Sequence, residues 1–351
     1  MHFSLKNFLF CFHLPLQSVT LRVGMALLPA YLAFSTPALE AQQPKTVNVD
    51  GSSTVYPITK AISQAFATTS TGKSVKVTAS ISGTTGGFRK FCAGQTDIND
   101  ASRPINATEM ETCRKNGVPY IELPVAFDAL TVAVNPQNTW ATSMTVAELR
   151  KMWEPAAQGK ITRWNQVRST WPNRPLKLFG AGKDSGTFDY FTEAIMGKAD
   201  VSRSDFTASE DDAVLVRGVS QDTNALGFFG FAYFEANSGK LKAVAIDNGK
   251  GSVLPSPQTV VNGQYQPLSR PLFIYVNARM AQTKPEVRAF VDFYLKNAER
   301  LVNTVGYIPL PAEGYRLAQI HFNRGKVGTV FGGKAQLNLT IGELLRKQAQ
   351  F

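Results

Sequence analysis

Three short segments of this chain combine hydroxyl side chains with glycine just ahead of stretches that read as helices: Ser52 to Thr54, Gly83 to Thr85, and Asp184 to Thr187. The first turn of a helix carries unpaired backbone N–H groups and the positive end of the helix dipole, which together attract an anion. Ser53, Thr54, Thr84, Ser185 and Thr187 add hydroxyl donors, and glycine lets the backbone approach a ligand closely. For any one segment an ordinary helix cap is an equal explanation, because Ser, Thr and Asp are the preferred capping residues. Three such segments in a basic chain shift the reading towards an oxyanion site. A fourth segment, Asp97 to Pro104, ends in Ser102 and Arg103 beside a proline. The planar fork of Arg103 suits bidentate contact with an oxyanion, with a surface ion pair as its alternative.

The elements that must position these groups repeat a strand, a small-residue loop and a helix. Val47 to Val49 reads as a strand, followed by a helix with apolar positions Ile58, Ala61, Ile62, Ala65 and Phe66. Pro57 suits its first turn. Val75, Val77, Ala79 and Ile81 alternate as a second strand, which leads through the glycine-rich loop to a helix carrying Phe88 and Phe91. Leu176 to Phe179 reads as a third strand, Gly180 to Thr187 as its loop, and Phe188, Phe191 and Ile195 as one helical stripe. This alternation predicts an α/β fold. Two apolar stretches, Ile121 to Val134 and Leu268 to Val276, read as crossings between two lobes. The expected layout is 42–130 in the first lobe, 131–269 in the second and 270–351 returning to the first, with a ligand cleft between them. The apolar residues of the tail, Leu337 to Leu345, are expected to dock on the first lobe.

The chain's 351 residues carry 37 Lys and Arg against 26 Asp and Glu, a net charge of +11. Residues 1–41 resemble a secretory signal: Arg22, an apolar run through Phe34, then small and polar residues to Ala41. Export would remove Lys6, Arg22 and Glu40 and leave +10 on the mature chain. It would also remove Cys11, leaving Cys92 and Cys113, expected as one disulfide in an oxidising compartment, with two unlinked thiols as the alternative.

Several classes of function drop out. A P-loop and a dinucleotide fingerprint both fail around Gly180 to Thr187, and no cofactor or metal is expected. Past the signal the only histidine is His321, and no GxSxG elbow accompanies it, so the chain is not read as an enzyme. The basic residues are dispersed and no aromatic RNA-binding signature occurs, so no nucleic-acid partner is expected.

Gly51 to Pro57 (GSSTVYP), Ser82 to Gly87 (SGTTGG), Ala101 to Pro104 (ASRP) and Asp184 to Thr187 (DSGT) together resemble the loops of the periplasmic phosphate-binding proteins, the substrate-binding component of the phosphate ABC transporter. The likeness runs through most of 46–312. It includes Ala147 to Trp153, Gly159 to Asn165, Ala225 to Phe228 and Val305 to Pro311, and is greatest to the cyanobacterial type. It implies a type II periplasmic-binding fold, two α/β lobes joined by two hinge strands, in a periplasmic monomer that binds inorganic phosphate and passes it to permease subunits. Carried over by motif, Thr54, the Val55 amide and Thr84 would donate from one lobe, and Ser185, Gly186 and Thr187 from the other. Some family members have an Asp where Arg103 stands, accepting the proton of hydrogen phosphate, and an Arg where this chain has Ala181. The resemblance therefore implies Arg103 as the cation here, with Asp184 as the proton acceptor and Asp100 behind it.

Overall fold

The computed structural model describes residues 45–351, so the signal segment and Cys11 lie outside the described residues. The first sheet runs in the order Val75–Ala79, Lys45–Gly51, Ile98–Ala101, Ser269–Asn277, Tyr120–Ala129. Its first three strands are parallel, as strand-loop-helix units require, and Ser269–Asn277 runs antiparallel to both neighbours. Every residue of Ile98–Ala101, Tyr120–Ala129 and Ser269–Asn277 is buried. Strands covered on both faces read as continuous apolar runs, and this is why the two crossing stretches lacked a polar alternation.

The second sheet runs Lys242–Ala243, Thr131–Val134, Ala225–Phe229, Lys177–Ala181, Thr207–Ser209. The chain leaves the first sheet at Ala129, enters the second at Thr131, and comes back at Ser269. At this crossing the Leu130 amide donates to the Leu268 carbonyl at 2.8 Å, tying the two connections together. Ser143–Thr145, Ala245–Asp247 and Ser252–Val253 form a small third sheet.

The helices follow the apolar stripes. Helix Tyr56–Ala67 holds Pro57 in its first turn and buries Ile58, Ile62 and Phe66 against helix Pro285–Thr304. Helix Gly186–Met196 buries Phe188, Phe191 and Ile195. Two boundaries differ from the sequence reading. Gly83 to Gly87 is the first turn of helix Gly83–Cys92 rather than a loop, and strand Lys177–Ala181 extends into the segment read as the third loop. Glycine-rich sequence weakens helix propensity, but the packing of Phe88 and Phe91 on the sheet overrides it. Trp153 and Trp164 lie wholly in the core. The tail docks on the first lobe: Leu339, Ile341 and Leu344 are buried, and helix Ile341–Gln350 packs on helix Ala312–Asn323.

Cys92 and Cys113 form a disulfide that ties helix Gly83–Cys92 to helix Ala107–Lys115. The loop it closes spans 21 positions. Replacing both cysteines by alanine should lower the unfolding free energy by about 3 kcal/mol, the chain-entropy value for a loop of this length. Urea unfolding measures it, and an unchanged midpoint would show that the bridge carries no stability.

Candidate anion-binding site

Three helix N-termini converge where the lobes meet. Val55 is the N-cap of Tyr56–Ala67, Gly83 opens the second helix, and Ser185 caps Gly186–Met196 by accepting the Thr187 amide at 3.2 Å. The first two helices belong to the first lobe and the third to the second. One hydroxyl pair meets across the gap, with Thr54 Oγ1 3.0 Å from Thr187 Oγ1, and within the first lobe Thr84 Oγ1 lies 3.2 Å from Ser102 Oγ. Ser53 is also drawn across, donating to Asp212 at 2.9 Å, while its carbonyl accepts the Tyr233 hydroxyl at 3.0 Å. Thr54, Thr84, Ser102 and Thr187 are 0% exposed, so an ion held among them is shut off from water.

Two glycines make this approach possible. Gly83 adopts φ +74°, and a Cβ there would lie 2.1 Å from the Asp184 carbonyl oxygen of the other lobe. At Gly186 a Cβ would lie 2.6 Å from Thr84 Oγ1 and 2.9 Å from Ser102 Oγ. Between these points the Thr85 amide donates to the Asp184 carbonyl at 2.9 Å.

The cation at this meeting point is Arg270, which the sequence reading did not single out. It is 0% exposed, and its Nη2 donates to Thr187 Oγ1 at 3.0 Å and to Thr54 Oγ1 at 3.4 Å. Nη1 reaches the Gly186 carbonyl at 3.3 Å. Asp128 holds the guanidinium in place, accepting Nε at 3.0 Å and Nη2 at 2.8 Å. The other Asp128 oxygen accepts the Phe231 amide at 2.8 Å. Arg270 and Asp128 face each other in the ladder between the two crossing strands. The only sequence signal for them was a charge inside each apolar stretch.

Arg103 stands elsewhere. Nε donates to Asp189, Nη1 to Glu109 at 2.8 Å and to the Pro104 carbonyl at 3.0 Å, and Nη2 to Glu109 at 2.7 Å and to Thr85 at 2.7 Å. All five guanidinium hydrogens are thus spent on the protein. Burial alone would push the Arg103 pKa down, but the carboxylates of Glu109 and Asp189 outweigh it and push it up. With the lobes in contact Arg103 has no donor left to offer, and it is Arg270 rather than Arg103 that stands among the hydroxyls of both lobes.

The acidic residues sort equally clearly. Asp184 has a side chain 44% exposed and paired with Arg89, facing out of the site. Asp100 is buried but accepts the Thr59 hydroxyl at 2.9 Å, on the side of helix Tyr56–Ala67. Asp212, unforeseen, is 0% exposed and accepts both Ser53 Oγ and the Gly230 amide, the latter at 3.1 Å. Burial pushes its carboxyl up to about 6, against the pull of those two hydrogen bonds. The Tyr307 hydroxyl, beside Gly230 and Thr54, is buried and has no partner among the described residues.

A fold of two α/β lobes around a shared anion site defines a class, and comparison with known proteins agrees with it. A family model for the PBP superfamily domain matches residues 36–298. Protein SphX of Synechocystis sp. is 57% identical over 94% of this chain and 96% of its own length. The phosphate-binding protein PstS of Staphylococcus saprophyticus is 34% identical over 77% of this chain and 82% of its own. The crystal structure of a possible phosphate binding protein from Planctomyces limnophilus is 48% identical, covers 80% of this chain and 98% of its own, and superposes with a TM-score of 0.59. The chain belongs to the PBP superfamily and, within it, to the family of SphX and PstS.

The close approach at Gly186 is testable. Gly186 occupies an ordinary helical position, so Gly186→Ala should leave stability almost unchanged while its methyl group blocks Thr84 and Ser102 of the opposite lobe. Phosphate affinity, measured by calorimetry, is expected to fall by about tenfold or more, the loss of at least one charge-assisted hydrogen bond. Unaltered affinity would mean that the lobes do not need this contact.

Proposed function

We propose that this protein is an extracytoplasmic receptor that captures inorganic phosphate between its lobes and delivers it to the permease of an ABC transporter. The observation that carries the reading is the meeting of three helix N-termini from both lobes beside one buried guanidinium, Arg270, which is hydrogen-bonded to Thr54 of one lobe and Thr187 of the other. Relatives named phosphate-binding proteins support the choice of anion. The ligand set is Thr54 and the Val55 amide, Thr84, Ser102, Ser185, the Gly186 amide and Thr187, with Arg270 as the cation; the expected ligand Ser53 instead gives its hydroxyl hydrogen to Asp212. Helix dipoles and neutral hydroxyls supply most of the stabilisation, because Asp128 already balances Arg270.

Hydrogen phosphate differs from sulfate by a proton, so a site that tells them apart needs an acceptor in reach. Asp212 is that acceptor in our reading: it is buried, hydrogen-bonded to Ser53 of the first loop, and lacks an ion-pair partner of its own among the described residues. A sulfate oxygen facing this carboxylate would leave both groups unpaired, a cost of about 1–3 kcal/mol or more. Arsenate carries the same proton and would be accepted.

Titration calorimetry of the mature protein with phosphate and with sulfate tests this reading. Phosphate should bind at least about tenfold more tightly, the ratio set by that unpaired-group cost. Asp212→Asn, which can donate to sulfate, should shrink the ratio mainly by improving sulfate. Sulfate binding as tightly as phosphate in the unaltered protein would overturn the assignment, and an unchanged ratio in the variant would remove Asp212 from it.

A further inference from the structure

The buried anion site can be filled only if the lobes part, since the hydroxyls that line it are shut off from solvent. The contacts that must break are therefore part of the binding cycle, and one of them is built unlike the others. Arg103 follows strand Ile98–Ala101 of the first lobe, whereas Asp189 belongs to helix Gly186–Met196 of the second. Their side chains are 6% and 7% exposed. Among the described residues the other ion pair between the lobes, Arg89 with Asp184, has side chains 60% and 44% exposed, and an exposed pair contributes little.

We infer that Arg103, Glu109 and Asp189 form a clamp between the lobes that sets how long a bound anion is retained. Glu109 is the fixed half. It grips Arg103 through two parallel hydrogen bonds of 2.8 and 2.7 Å, and is itself held as the third residue of helix Ala107–Lys115, where it accepts the Asn106 amide at 2.9 Å. The Pro104 carbonyl at 3.0 Å steadies the same guanidinium. Arg103 is thus pre-oriented within the first lobe whether or not Asp189 is present.

Asp189 is the moving half. When the lobes meet it loses water and gains Arg103 Nε, with Thr85 Oγ1 at 3.4 Å on the same oxygen. Its dehydration opposes closure and the pairing favours it, so the net preference for the closed arrangement is modest. An equilibrium balanced in this way can be tipped by ligand, because the ligand contributes its own preference for the closed arrangement. Asp189 lies two positions beyond Thr187, so the clamp closes on the same helix turn that faces the anion. Arg103 thereby acts on the anion as a positioning residue, without touching it.

The inference rests on the proposed function only for the identity of the ligand. Stopped-flow fluorescence of the mature protein gives the rate constants for phosphate. Asp189→Asn keeps the shape and removes the charge, and should raise the dissociation rate by about tenfold or more, the worth of a hydrogen bond between charged groups. The association rate should stay within about threefold, since electrostatic encounter is set by the whole surface. Arg103→Lys, which retains the charge without the fork, should give an intermediate dissociation rate; a role confined to folding would lower the melting temperature without moving dissociation apart from association. An unchanged dissociation rate in both variants overturns the clamp. If the unaltered protein fails to bind phosphate, the ligand assignment falls, and hydrogen exchange in helix Gly186–Met196 without ligand decides the clamp. Faster exchange in Asp189→Asn supports it and equal exchange overturns it.

Discussion

The buried ion pair of Arg270 and Asp128 is the constraint around which the site is arranged. Two charges taken fully out of water are costly unless each finds its partner and further hydrogen bonds. Here the pairing comes from the fold itself, because the two residues sit opposite each other on the antiparallel strands that also carry the chain between lobes. The register of those strands fixes the guanidinium, and the guanidinium fixes Thr54 from one lobe and Thr187 from the other. A slip of one strand by one position would turn its charge to the opposite face of the sheet and leave the other buried without a partner.

From that fixed point the rest of the site follows as a matter of approach. The helices supply donors that a folded chain already has in excess, namely the amides of their first turns. Glycine at 83 and 186 lets the opposing backbone and hydroxyls come within contact distance. Two aspartates then divide the remaining work. Asp128 balances the cation, and Asp212, reached by Ser53 and Gly230, stands without one among the described residues. In the function we propose, this nearly neutral enclosure would hold the anion through oriented dipoles, whose strength rises as the dielectric falls.

Much of this was legible in the sequence because it is local. Capping residues and glycine sit next to the helices they serve, so Ser53 to Val55, Thr84 and Ser185 to Thr187 could be placed at helix starts by reading along the chain, whereas Asp184, expected as a proton acceptor, pairs with Arg89 at the surface. The alternation of strands and helices gave the α/β class for the same reason. Arg270 and Asp128 were not legible in this way: they lie 142 positions apart, and only strand pairing brings them together. Each was visible as a charge inside an apolar run, a pattern that costs stability unless a partner exists, and that cost was the available clue. Arg103 shows the converse. Its arginine-proline setting read as a ligand, but its partners include Asp189, 86 positions away, which no local pattern could supply. Glu109 was nearer to hand, since Asn106 and Glu109 have the spacing of a capping box that fixes the carboxylate close to Arg103.

A crystal structure of the mature protein grown with phosphate would show directly whether Arg270, and not Arg103, faces the anion. A phosphate ion is expected within hydrogen-bonding distance of Arg270, Thr54 and Thr187, with Arg103 still engaged by Glu109 and Asp189. A phosphate ion seated on the Arg103 guanidinium, with Asp189 displaced from it, would overturn that assignment.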